Sequence, residues 1–207
     1  MAMWKCFVLV LLIAACAPPA EQAEPHVATA APPSTRAATP AAPAPSTGAS
    51  TFAVTTNDGQ PVIEVATSGS DVTVTWDGTV MHGRRKGEKR KYESVEVKYG
   101  ETGGFKVRTL DGKLLWKVKV TPEKIKISDN EENANPFELK IREKKVKVYA
   151  PGERLLGEVR VRRDHIEVGD KLRAAGTSLA PFYGVALLDA VPARERAVIF
   201  AELAAGH

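Results

Sequence analysis

The chain has 207 residues, 29 of them Lys or Arg and 25 Asp or Glu, for a net charge of +4. Its two cysteines, Cys6 and Cys16, both fall in the first sixteen residues. Everything beyond them is therefore without a thiol for a disulfide, a zinc site or a nucleophile.

The chain opens on Met1-Ala2-Met3-Trp4 and a single Lys5, and an apolar run follows from Phe7 to Ala15. That run is far shorter than the roughly 20 residues a membrane-spanning helix needs. A basic start, a short apolar core and small residues before a cut site predict a signal peptide over residues 1–15. The run closes with Ile13-Ala14-Ala15-Cys16. This resembles the lipobox of bacterial lipoproteins, an aliphatic residue and two small ones before a cysteine. The resemblance implies cleavage before Cys16, loss of Cys6 and acylation of the Cys16 thiol. Two or three acyl chains would hold the protein stably in a membrane, whereas one holds only marginally. Ala17 stands where an aspartate retains such proteins in the inner membrane of enteric bacteria, which implies the outer membrane in a Gram-negative cell.

Residues 16–50 read as a tether. Of residues 17–50, 12 are Ala, 8 are Pro and 7 are Ser or Thr, and Val27 is the one large aliphatic side chain. Such a segment buries too little apolar surface to offset its ordering entropy. Its prolines bias it toward extended conformations.

From Thr51 strict alternation begins. Val95, Val97 and Tyr99 alternate with Glu96 and Lys98, and Phe105 and Val107 with Lys106 and Arg108. Trp116, Val118 and Val120 alternate with Lys117 and Lys119, and the period continues through Ile125/Ile127, Val146/Val148 and Val159/Val161. A period of two puts apolar side chains on one face of a sheet and charged ones on the other. Turn signals such as Asp58-Gly59, Asp77-Gly78, Asp111-Gly112 and Pro151-Gly152 separate the runs. About a dozen short strands are predicted over a β-domain at 51–173, a mainly β fold built as an antiparallel barrel or sandwich.

Residues 174–207 change period. Ser178 is placed to cap a helix with Pro181 in its first turn, and Leu179 to Leu188 is apolar nearly all round, which predicts a buried helix. A second helix is expected from near Pro192. Val198, Ile199, Phe200 and Leu203 supply its apolar side, and Arg194, Glu195, Arg196 and Glu202 its wet side.

A dozen strands followed by an apolar C-terminal helix resembles the tubby C-terminal fold, shared with LURP-one-related proteins and phospholipid scramblases. The phrases FKVRTLDGKLLWKVKV and KVKVYAPGERLLGEVRV carry the likeness. It implies a twelve-strand barrel closed around a central hydrophobic helix, and lipid handling. The alternative is a β-sandwich or barrel with a helical pair packed outside.

The sharpest local feature is MHGRRKGEKRKY, residues 81–92. Arg84, Arg85, Lys86, Lys89, Arg90 and Lys91 stand against the single acid Glu88, a local +5, so the rest of the chain sums to −1. Gly83 and Gly87 predict a flexible loop. Clustered cations of this kind suit an anionic lipid head, lipopolysaccharide or another envelope polyanion. Lysines on outward strand positions suggest a wider basic surface. They also discourage edge-to-edge aggregation, with Glu123, Glu138, Glu143 and Glu158 at hand to balance them.

Few residues suggest other chemistry. Asp129, Glu131 and Glu132 in DNEENANP lack the ligand alternation of a calcium loop, so a polar hairpin loop is expected there. His26, His82, His165 and His207 stand apart with no metal spacing. Trp76 and Trp116 lie in strand patterns and are expected in the core. No catalytic motif stands out, and no metal or cofactor is expected. Nothing interleaves aromatics with the basic run as a nucleic-acid platform requires. The expectation is a membrane-anchored envelope lipoprotein with a non-catalytic binding or scaffolding domain, its partner an anionic surface or an envelope protein. The alternatives are lipid or glycolipid handling and an enzyme without a recognisable motif.

Overall fold

The computed structural model describes residues 49–101 and 103–206. The expected signal peptide, Cys16 and all but the last two residues of the expected tether lie outside the described residues.

Fourteen strands run in chain order. They are β1 (Ser50–Thr56), β2 (Pro61–Ser68), β3 (Asp71–Trp76), β4 (Thr79–Lys86), β5 (Lys89–Lys91), β6 (Val95–Tyr99) and β7 (Gly104–Thr109). Then come β8 (Leu114–Thr121), β9 (Lys124–Ser128), β10 (Phe137–Arg142), β11 (Lys145–Ala150), β12 (Arg154–Val161), β13 (His165–Val168) and β14 (Leu172–Ala175). Each pairs antiparallel with the next. β1 closes on β14 through Val54↔Ala174, Thr55↔Arg173 and Thr56↔Leu172. The mainly β barrel expected from the alternation is what the structure has, and its strands run one residue before and two beyond 51–173.

The alternation dictates the wall. Val72, Val74 and Trp76 of β3 turn inward, as do Val95 and Val97 of β6 and Ile125 and Ile127 of β9, all buried. Lysines and glutamates take the positions between. Charged outside and apolar inside is the reverse of a barrel whose wall faces lipid. No helix among the described residues is long and apolar enough to cross a membrane.

A barrel of about eight strands is filled by its own wall side chains, whereas wider ones enclose a lumen. Fourteen strands leave space along the axis, and the chain fills it with its own C-terminal segment. A 3₁₀ helix, Pro181–Leu187, packs on β10–β13 with Phe182 to Ala186 buried. α1 (Ala193–Ala205) packs on β2, β3 and the 3₁₀ helix. Six successive residues of α1, Ala197 to Glu202, have no exposed surface. An open sheet covers one side of a helix, so burial all round means that α1 lies within the wall. Phe200 meets Phe182 edge-on at 5.2 Å and Tyr183 at 6.0 Å. Full burial of such a side chain contributes about 1.5–3 kcal/mol.

Three expectations change. The segment read as a flexible loop at 84–91 is the paired hairpin β4–β5, turning at Gly87-Glu88. Its glycines and charges resemble a loop, but outward cations and one close approach explain them better. A Cβ at Gly83 would lie 2.6 Å from the Tyr92 ring, so the inner face at that point has room only for glycine. The first C-terminal helix is 3₁₀ rather than α and starts from Ala180 without a side-chain cap, so Ser178 does not cap it. The wet side expected for the second helix fails at Glu202, which is buried completely.

Candidate anion-binding face

The six cations of the hairpin divide between the two faces of the wall. Arg90 points inward and is 3% exposed. Its Nη1 donates to Glu202 Oε2 at 3.0 Å. The Tyr92 hydroxyl donates to Glu202 Oε1 at 2.6 Å, and the Tyr99 hydroxyl to Oε2 at 2.7 Å. Glu202, on α1, thus receives three donors from β5, β6 and the segment between them. Burial, and after it the Glu202 charge, push the Tyr92 and Tyr99 phenols well above the ordinary tyrosine range. They stay neutral donors. Arg85 stays exposed, but its guanidinium stacks 4.4 Å over the Tyr99 ring and its Nε donates to the Gly87 carbonyl, so it too is engaged within the fold. Arg90 belongs to this internal lock and is withdrawn from the surface.

Arg84, Lys86, Lys89 and Lys91 remain outside. Register gives them neighbours that the sequence does not suggest. Lys86 pairs with Lys89, Lys89 with Lys98, Lys98 with Lys106, and Lys106 with Lys117. Five lysines stand in one row across β4 to β8. Neighbouring strands lie about 4.8 Å apart, so the row extends roughly 19 Å. Like charges directly opposite each other on a sheet destabilise it.

Two carboxylates relieve the row in part. Lys89 Nζ lies 2.7 Å from Glu96, and its hydrogen bond holds the Glu96 carboxyl below the usual range. Lys106 Nζ lies 2.7 Å from Glu131, with the same effect on that carboxyl, and Arg108 shares Glu131 at 2.7 Å. Lys117 Nζ donates to the Glu131 carbonyl. Lys98, and Lys119 in the adjacent row, have no ion pair among the described residues.

Four lysines of the row, from Lys89 to Lys117, line a groove of about 680 Å³ on the outer wall, and Lys86 stands beyond it. Lys89, Lys98, Lys106, Arg108, Lys117 and Lys119 face it, and Gly100, Gly103 and Gly104 leave part of its floor without side chains. Gly104 has φ +123°, and a Cβ there would lie 2.4 Å from the Val118 carbonyl oxygen. This position demands glycine, and the recess follows from it.

Edge protection does not account for these lysines, because the closed wall has no free edge. Balance by acids is partial in this row and fuller elsewhere. Glu138 takes Lys126 and Lys140, and Glu158 takes Lys145, Lys147 and Arg160.

Of the remaining flagged residues, His26 and His207 lie outside the described residues, and the others have local structural roles. Trp76 and Trp116 are core, Trp76 beneath the Arg196 guanidinium and Trp116 donating to Glu195 of α1. His82 contacts Thr73 at 3.2 Å and His165 contacts Asp164 at 2.8 Å. The 129–136 segment joins β9 to β10, and Glu131 turns back to the lysine row. No group of three metal-ligating side chains occurs among the described residues. Sequence reasoning missed the Glu202 lock and the row. The apolar run Ala197–Ala201 points to burial all round, but nothing local shows that Glu202 shares it. The row's lysines were visible singly, but their registration was not.

Comparison with protein-family models, with curated proteins and with solved structures gave no match to this chain.

Proposed function

We propose that this chain is an envelope lipoprotein, anchored by acyl groups on Cys16 in an outer membrane. On this reading residues 16–50 are a tether, and the barrel is a non-catalytic binding module. Its contact is the outward basic face formed by the β4–β5 hairpin and the lysine row of β6–β8, and its partner is an envelope polyanion. The observation that carries the reading is the row from Lys86 to Lys117, five facing cations that Glu96 and Glu131 neutralise only in part. A site that costs folding stability and has no edge to protect is best explained by a ligand that neutralises it. Lipid handling inside the barrel has less support, because a lipid tail there would have to displace Phe182, Phe200 and the Glu202 lock.

Two measurements test it. Mass analysis of the membrane-extracted chain should show acylated Cys16, and Cys16→Ser should release the protein from the membrane. Titration against neutral liposomes, anionic liposomes and lipopolysaccharide at two salt concentrations should show salt-sensitive binding to an anion. A variant with Arg84, Lys86, Lys89 and Lys91 changed to Ser should lose it. A Cys16 without acyl groups sinks the anchor, and salt-independent binding shared by the variant sinks the contact.

A further inference from the structure

Which polyanion the face takes is a question its shape addresses. Resting on the polyanion reading, we propose that the groove seats an extended acidic polysaccharide, with about one carboxylate-bearing sugar for each strand it crosses.

The row runs across the strands, so its charges repeat at the interstrand spacing of about 4.8 Å. One sugar of an extended hexuronate chain is comparable in length, so the polymer keeps pace with the strands. Its carboxylates, which turn to alternate sides along a 1,4-linked chain, meet alternate lysines with hydroxyls between. The five in-line cations are all lysine. Lysine acts as a point charge with three rotatable donors, whereas arginine offers a bidentate fork. A file of single carboxylates, with hydroxyls between them, suits the former.

The recess argues the same way. A bilayer presents a broad array of head groups and is met best by a convex surface. The lysines here instead line a groove of about 680 Å³ whose floor drops at Gly100, Gly103 and Gly104. A recess of this kind admits a single polymer chain more readily than a membrane plane. Lys98 and Lys119, exposed and without an ion pair among the described residues, are the cations readiest to take a carboxylate. Lys106 and Lys117 would exchange part of their contact with Glu131 for the ligand.

The test uses the full chain in neutral detergent. The probes are an oligogalacturonate long enough to cross five strands, the same oligomer with its carboxyls reduced, and phosphatidylglycerol vesicles. We expect salt-sensitive binding to the acidic oligomer and none to the reduced one. A variant with Lys98, Lys106, Lys117 and Lys119 changed to Gln should bind at least about tenfold more weakly, about 1.4 kcal/mol. Changing Arg84 and Lys91 to Ser should cost no more than about threefold, because neither lines the groove and each already has a carboxylate neighbour, Asp71 and Glu96. The Gln variant relieves facing like charges but gives up the Lys106 and Lys117 contacts with Glu131, so its urea midpoint should stay close to the parent's, which separates lost binding from lost structure. Equal binding of the reduced oligomer, or equal weakening by the two variants, overturns the proposal. Vesicle binding without oligomer binding also overturns it and leaves the polyanion reading intact. Failure to bind any of these anions, or lipopolysaccharide, removes both.

Discussion

The two faces of the wall from β4 to β6 treat charge in opposite ways. Inward, Arg90 meets Glu202 in a buried pair that two tyrosine hydroxyls complete, so every strong donor aimed at the carboxylate has a purpose in folding. Outward, one residue away on the same short strand, Lys89 faces Lys86 on one side and Lys98 on the other. The inner face commits its charge to holding the C-terminal helix, whereas the outer face pairs Lys89 with Glu96 and Lys106 with Glu131 and leaves Lys98 between them without an ion pair among the described residues. A third region shows that outward lysines need not be so arranged: on β9–β12 the same residue type is interleaved with Glu138 and Glu158. Composition is similar in all three places. Side and register make the difference.

The contrast is broken most severely from inside. Glu202→Ala leaves Arg90 buried without its partner and should cost about 3–5 kcal/mol in urea unfolding. Replacing the pair by Arg90→Met with Glu202→Leu should recover much of that loss. If the single and double variants are equally unstable, packing rather than charge holds the helix.

Removing one donor is milder. Tyr92→Phe should cost about 1.5–3 kcal/mol, the range for a hydrogen bond to a charged group. The same phenols set an alkaline limit. The unfolded chain releases tyrosine protons near about pH 10, whereas the folded state holds those of Tyr92 and Tyr99 to higher pH. Folded pKa values raised in this way leave stability intact below that pH and lower it as pH rises beyond. Urea midpoints at pH 8 and 11 should show the drop, and the Tyr92→Phe/Tyr99→Phe variant should show a smaller one.

The outer wall gives the smallest effects and the sharpest sign. Lys98→Glu turns two facing repulsions into attractions and should stabilise the barrel by about 0.2–1 kcal/mol while weakening anion binding. Arg160→Gln removes a cation from Glu158 and should destabilise by less than about 1 kcal/mol. Opposite signs from two outward cations would confirm that the β4–β8 row is built for something other than stability. Equal signs would make the two regions alike.

Much of this was legible from the chain. Val95, Val97 and Tyr99 alternating with Glu96 and Lys98 dictate a sheet with one wet face, because the strand period is local. The basic run at 81–92 was visible, but its glycines and charges resemble a loop. Only pairing with β6 made β5 a strand, and a three-residue strand carries too little pattern to be read alone. The apolar stretch 179–188 told of burial, yet its 3₁₀ geometry and the greater burial of α1 depend on what surrounds them.

The sequence by itself determined which side chains of each strand face water and where most turns fall. These follow from backbone period and turn chemistry within a few residues. The tertiary structure alone decided that the sheet closes at fourteen strands, that α1 fills the lumen, that Arg90 belongs to Glu202 112 residues away, and that five lysines line up. Register between strands is a sum over every intervening turn and bulge, and the burial of a helix depends on the wall around it. Neither quantity is stored at any one place in the chain.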